Sequence, residues 1–348
     1  MSKPLVLVTG ATGHVGFAVL ALLLKSGYQA RVASRKLATL EKLKELPSIK
    51  PYADSVSYIE VADFVAEHAF DEAVKGVDYV IHLASPIPDP SQAGGAVDVR
   101  KDYIEPAVQG NLGLLRAAAA SPSIKRIVIT SSGVILNTSP VAPSSTIGPD
   151  EAAPILEISE YENSGNPGIA YVESKKRAIA AVDEFVAQNK PHYEIVHILP
   201  TLVIGRNETV SSVKELRERV SSNTPLVNYV LGAKSERPVP ETWVLLDDVA
   251  AVHVNALSAK NVSNGERFLA TFFDDVQFST LDPVVKKLFP KEVESGLLPL
   301  GGSQAGWYAP FDASKTTEKL GVKFHGVEDM VNSLIGQLVE LQHAEAKN

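Results

Sequence analysis

The chain has 348 residues, 45% of them hydrophobic, with 41 acidic and 33 basic side chains and no cysteine. This length suffices for a large core, one large domain plus a smaller partner, and a mean hydropathy of +0.04 describes a soluble globular chain. A net charge of −8 without a basic cluster excludes a nucleic-acid partner; the missing cysteines exclude disulfides, thiol nucleophiles and thiolate metal sites.

No apolar run reaches membrane-spanning length, and no signal-peptide pattern precedes the first strand, so the expectation is a cytoplasmic chain without a membrane partner. Leu5 to Val8 is an apolar run leading into three evenly spaced glycines, Gly10, Gly13 and Gly16. A helical apolar pattern through Val15, Val19, Leu22 and Leu23 follows and closes at Gly27. Strand, glycine turn and helix form the unit that binds the diphosphate of a dinucleotide. Glycine permits positive φ and close approach of backbone to phosphate, and the helix offers free N–H groups and its positive dipole end to the anion.

The second strand, Gln29 to Ser34, is followed by Arg35 and Lys36, with no strand-end carboxylate to bond an NAD ribose. A carboxylate repels a 2′-phosphate, whereas arginine clamps one bidentately and lysine adds a point charge, so this pair predicts NADP. A helix with Leu37, Leu40, Leu43 and Leu46 ends at Pro47. The third strand, Val56 to Val61, precedes Asp63, which either accepts from an adenine amino group or caps a helix starting near Val65. The fourth strand, Tyr79 to Leu83, opens into the bend Ala84-Ser85-Pro86, where a cofactor can lie, and then into a loop over Pro86 to Gly95.

Ile104, Val108, Leu112, Leu115 and Ala119 mark a long core helix, and Arg126 to Thr130 a buried fifth strand ending in Ser131-Ser132-Gly133. From Asn137 to Gly168 the composition is that of a functional loop, a lid or a wall. A helix resumes at Tyr171 and runs to about Gln188; Tyr193 to Leu199 is the sixth strand, followed by Pro200-Thr201. The alternation predicts an α/β fold, a doubly wound parallel sheet (Rossmann fold) over 1–200 with 242–262 returning to it. Residues 201–348 are expected to form a smaller, mixed substrate-binding region. Its elements are a charged helix over Val213 to Val220, a short strand over Thr242 to Leu246, and a helix through Leu257 capped by Asp247 or Asp248. A strand over Arg267 to Thr271, a helix over Leu281 to Leu288 and an amphipathic tail over Val327 to Leu341 complete it.

Tyr171 and Lys175 stand four residues apart on one helix face. A neighbouring ammonium favours the phenolate, so the pair predicts a tyrosine of lowered pKa that serves as general acid for a carbonyl oxygen, or as base for an alcohol in reverse. A serine at the end of the fifth strand holds the same oxygen, with hydride supplied by a nicotinamide. Pattern alone does not separate Ser131 from Ser132.

In this order the features resemble the extended short-chain dehydrogenases/reductases, specifically the branch with dihydroflavonol 4-reductase, cinnamoyl-CoA reductase and the fungal ketone/aldehyde carbonyl reductases. The resemblance is carried by the segment Thr9 to Gly16, Arg35, Asp63, Leu83 to Pro86, Thr130-Ser131-Ser132, Tyr171 to Lys175, Leu199-Pro200-Thr201 and Leu246 to Val249. It implies NADPH-dependent reduction of a ketone or aldehyde, with Ser132, Tyr171 and Lys175 in the catalytic roles. It also implies cofactor contacts from Thr12, His14, Val15, Leu83, Ala84, Ser85, Thr130 and Ser131, with Pro200, Thr201, Leu202 and Val203 on the nicotinamide side.

Two departures stand out: Ala107 occupies the place of the family's water-bridging asparagine, and His14 replaces a bulky apolar residue, read as a packing variant near the cofactor. Relatives pair through the helices at 102–120 and 170–189, leaving monomer or homodimer open. Two other functions keep the fold. NAD-linked epimerisation or dehydration of a nucleotide sugar is disfavoured by Ser34-Arg35, and a non-catalytic NADP-sensing role by the retained tyrosine and lysine. His82 and His197 read as satisfied core histidines, His68, His192 and His253 have no metal-ligand spacing, so no metal is expected. Trp243, Trp307, Tyr308 and Phe311 form either a substrate wall or core packing.

Overall fold

A computed structural model describes residues 3–85, 98–136, 146–158, 166–274 and 276–347. Its first half alternates strands and helices: β1 (Leu5–Thr9), α1 (His14–Lys25), β2 (Gln29–Ser34), α2 (Leu37–Lys44), β3 (Val56–Glu60), β4 (Tyr79–His82), α3 (Glu105–Ala119), β5 (Arg126–Thr130), α4 (Pro167–Asn189) and β6 (Glu194–Pro200). The second half is more broken: β7 (Leu202–Ile204), α5 (Val213–Glu218), α6 (Thr224–Val230), β8 (Lys234–Pro240), β9 (Trp243–Leu245), α7 (Leu246–Ser258) and β10 (Glu266–Ala270). It ends with α8 (Leu281–Leu288), α9 (Pro290–Glu294), β11 (Ser303–Trp307), α10 (Ser314–Leu320) and α11 (Val327–Glu345).

Seven parallel strands form one sheet in the order β10-β6-β5-β4-β1-β2-β3. Val6, Leu7 and Val8 are all fully buried, because helices cover both faces of a central parallel strand and a continuous apolar run is what such a strand needs. The strand order reverses between β1 and β4, and the crevice at that point is where open α/β sheets bind ligands. α1 buries Phe17, Leu20, Leu23 and Leu24 in the same core that receives Val249, Val252 and Leu257 of α7. Arg126 fixes the far end of α7 by donating to the Ala256 and Ala259 carbonyls at 2.6 and 2.9 Å, a cation on a helix C-terminus.

Three expectations are corrected. The strand expected over Arg267 to Thr271 in the C-terminal region is β10, the seventh strand of the main sheet, paired with β6. No helix starts near Val65; the chain between β3 and β4 is a run of turns. Neither Asp247 nor Asp248 caps α7: Asp248 instead accepts from the His325 backbone N–H at 2.8 Å and bonds its Nδ1 at 2.6 Å. Of the two readings left open for Trp243, the structure takes core packing: it lies fully buried and edge-on to Phe278, with centroids 5.0 Å apart.

The loop read over Pro86 to Gly95 lies outside the described residues, as do 137–145 and 159–165 of the longer one. β7 pairs with β9, and β8 with β11, giving two small parallel ribbons beyond the main sheet.

Candidate active site

The glycine turn is built by contacts that exclude side chains. Gly10 has φ +77°, and a Cβ there would lie 2.8 Å from the Ala84 nitrogen; one on Gly16 would lie 2.1 Å from the Gly10 carbonyl oxygen. Thr9 Oγ1 accepts from the Ala84 N–H at 3.2 Å and bonds His82 Nδ1 at 2.9 Å, which seats the Leu83-Ala84-Ser85 bend against the turn. α1 then starts at His14 with no side-chain cap and no acidic residue in its first turn. The Gly13 N–H donates to the Gly10 carbonyl at 3.0 Å, and the first amides of α1 at His14 and Val15 face an N-terminus suited to a diphosphate.

At the end of β2, Arg35 and Lys36 are exposed and make no ion pair among the described residues. The nearest acid by register is Glu60, opposite Ser34, and it accepts from the Leu37 N–H at 3.2 Å. Asp63 is exposed and accepts from the Val65 N–H at 3.0 Å, so it acts as a local turn cap.

α4 opens on an Asn166 cap that accepts from the Gly168 and Ile169 N–H groups, four residues earlier than the Tyr171 start read from periodicity. Val99–Ile104 winds as a π-helix whose Val99, Tyr103 and Ile104 pack with Ala170 and Tyr171. Within this packing the Ser132 side chain acts on the Tyr171 phenol, favouring its ionised form. Lys175 Nζ sits 5.6 Å from the Tyr171 ring centroid and 3.5 Å from the Thr130 carbonyl oxygen. Ser131 differs from its neighbour: its backbone pairs with Ile198, and its hydroxyl is buried without a partner. Of the two serines, Ser132 is the one that acts on the tyrosine phenol.

Burial sets the electrostatics here. It pushes the Tyr171 phenol above its ordinary value, the Ser132 side chain pulling the other way, and it pulls the Lys175 ammonium down to about 8. The sequence expectation of a tyrosine lowered by its lysine is corrected, because desolvation of both groups outweighs their mutual attraction.

Behind Lys175 lies a small cavity lined by His82, Ser85, Asn111, Ser131 and His197 among others. His82 and His197 are each held neutral at about 3 by burial. His82 is satisfied by Thr9, but both His197 ring nitrogens lack partners, contrary to the satisfied histidine expected. Asn111 donates to the Ala107 carbonyl at 2.7 Å and leaves its Oδ1 unpartnered. Counting from Gly110 gave Ala107 and missed this asparagine, whose position only the packing of α3 reveals. His253 was likewise unassigned. Its Nδ1 donates to the Val249 carbonyl at 2.8 Å, so its Nε2 accepts the Thr130 hydroxyl at 2.7 Å and steadies the residue whose carbonyl faces Lys175.

Pro200 to Val203 bridges the two ends of the site. A Cβ on Gly133 would touch the Thr201 side chain at 3.2 Å, and the Val203 backbone faces the His14 ring. On the other face of α4, Lys176 bonds Glu173 at 2.7 Å and the Pro154 carbonyl at 2.6 Å, while Glu173 accepts from the Leu156 N–H at 2.9 Å. This buried pair fastens the 154–156 segment to the helix that carries Tyr171.

Residues 6–270 match the model of the NAD dependent epimerase/dehydratase family, and the chain belongs to that family. It is 33% identical to the ketoreductase CTB6 of Cercospora nicotianae, over 98% of this chain and 96% of that protein. It is also 33% identical to the NAD-dependent epimerase/dehydratase ALT6 of Alternaria alternata, over 95% and 96%. The crystal structure of Gre2 from Candida albicans in complex with NADPH aligns with a TM-score of 0.81 at 25% identity, over 97% of this chain and 99% of that one. These similarities bear out the resemblance to the extended short-chain reductases and the Rossmann fold.

Proposed function

We propose that this protein is an NADPH-dependent oxidoreductase that reduces the carbonyl of a small ketone or aldehyde. The observation that carries this reading is the Lys175 ammonium 5.6 Å from the Tyr171 ring, with Ser132 acting on the same phenol, at the carboxyl end of the strands where the glycine turn also lies. Similarity to a ketoreductase and to Gre2 in complex with NADPH supports it. Gly10, Gly13, Gly16 and the α1 amides hold the diphosphate, Arg35 and Lys36 the 2′-phosphate, and Ala84, Ser85, Thr130, Ser131 and Pro200 to Val203 the remainder. NADPH supplies the hydride.

The protein's own residues manage the oxygen. Ser132 donates a hydrogen bond to the carbonyl, orienting and polarising it. Tyr171, whose raised pKa keeps it protonated at neutral pH, gives its proton to the oxygen as negative charge develops there. Lys175 stabilises the phenolate that results. A phenol held protonated by burial favours reduction; alcohol oxidation, which needs the phenolate first, is favoured only at high pH. Residues 201–348 supply the substrate-binding side.

The test follows loss of reduced-nicotinamide absorbance with NADPH or NADH and a panel of aromatic and aliphatic carbonyls. Tyr171→Phe should lower kcat/KM by about 10²–10⁴-fold while leaving NADPH binding intact. Turnover in the mutant equal to wild type, or no carbonyl-dependent oxidation across the panel, rejects the reading. A preference for NADH rejects the role of Arg35 alone.

A further inference from the structure

We infer that Arg219, contributed by the C-terminal region, is a ligand of the cofactor diphosphate and couples that region to the glycine turn. This rests on the dinucleotide reading above. Arg219 follows α5, more than 200 residues from the turn in sequence, yet its Nη2 donates to the Thr12 carbonyl at 3.3 Å. Its Nη1 donates to Thr209 Oγ1 at 2.9 Å, which fixes the plane of the guanidinium. The only carboxylate near it among the described residues is Glu215, at 3.7 Å, too far for a hydrogen bond. A guanidinium has five N–H donors, so three are uncommitted, and the side chain is 35% exposed beside the open end of α1.

His14 lies beside the same arginine. Both ring nitrogens are shut off from solvent, and neither has a well-formed hydrogen bond. Burial holds the ring near 4, with the Val203 backbone opposing and the Arg219 charge adding to the effect, so the histidine is neutral. A partly unmatched cation beside a helix N-terminus free of acids favours an anionic group with several acceptor oxygens. A diphosphate has that chemistry: it takes the α1 amides and one or two Arg219 N–H groups. Because Arg219 also bonds Thr209, cofactor binding and docking of the 205–220 segment strengthen one another.

Equilibrium titration of the full chain tests this with two probes, NADPH and adenosine 2′-monophosphate, which carries the 2′-phosphate but no diphosphate. Arg219→Gln should weaken NADPH by about ten- to hundredfold, the range of a charge-assisted hydrogen bond, and leave the nucleotide's affinity unchanged. Arg219→Lys should recover part of the loss, and Arg35→Ala should weaken both probes. Tm of the ligand-free variants checks folding. Unchanged NADPH affinity in Arg219→Gln overturns the inference, whether or not Tm falls, and leaves Arg219 a strap between two segments. Equal weakening of both probes also overturns it. If the wild-type chain binds neither probe, the dinucleotide reading itself fails, a result distinct from failure of Arg219 alone.

Discussion

The two faces of α4 carry neighbouring buried lysines in opposite surroundings. Lys176 has a solvent-shielded carboxylate at 2.7 Å and a carbonyl at 2.6 Å, so its charge is matched where it stands. Lys175 has a carbonyl at 3.5 Å and an aromatic ring, with no carboxylate bonded to it among the described residues, and burial draws it down to about 8. A matched buried cation anchors structure, since its field is cancelled locally. An unmatched one costs stability but keeps a field that acts on whatever binds beside it. One helix therefore holds the reacting face rigid with one lysine and makes it reactive with the other.

Exchanging the roles gives the largest effect. Lys175→Met should lower kcat/KM for carbonyl reduction by about 10²–10⁴-fold while Tm holds or rises, because a desolvated charge is removed. Equal losses of Tm and activity would contradict the contrast. Next, Glu173→Gln strands the Lys176 ammonium and should cost about 3–5 kcal/mol in urea unfolding, whereas the double replacement Glu173→Leu with Lys176→Met should recover most of that. If the double variant is as unstable as the single one, packing and not charge matching governs that face.

A smaller effect comes from pH. With carbonyl saturating, kcat/KM for NADPH reports the free chain and should decline as pH rises through about 8, where the Lys175 ammonium is lost. Lys175→Arg should remove that decline, because arginine stays charged. The smallest effect lies far from the helix: Asp248→Ala frees the His325 N–H it accepts and should cost about 1–3 kcal/mol without changing kcat. A change in kcat would tie the 325 segment to the site.

The central strands are legible in the sequence because burial on both faces demands unbroken apolar runs, as in Val6 to Val8 and Ile127 to Ile129. The turn at Gly10 is legible because a Cβ there meets the Ala84 backbone, and no other residue type relieves that contact. β8 was not legible. Its Lys-Ser-Glu-Arg-Pro-Val-Pro run argues against a strand, and only pairing with β11 in a two-stranded ribbon, where missing N–H donors are tolerated, makes it one. β10 was visible as a strand, but its place beside β6 comes from register over some 70 residues, which local pattern does not encode.

By itself the sequence named the groups of the proposed site: glycines at the turn, Arg35 past the second strand, and Tyr171 one helical turn from Lys175. Those depend on spacing along a single element, which the backbone repeat sets. Tertiary structure decided how those groups behave. Packing against the 99–104 segment buries Tyr171 and raises it where spacing implied the reverse, and long-range contacts set Asn111 in the cavity beside Lys175, His253 on Thr130 and Arg219 at the turn. Burial and long-range contact set desolvation, and desolvation decides which charges a folded chain keeps.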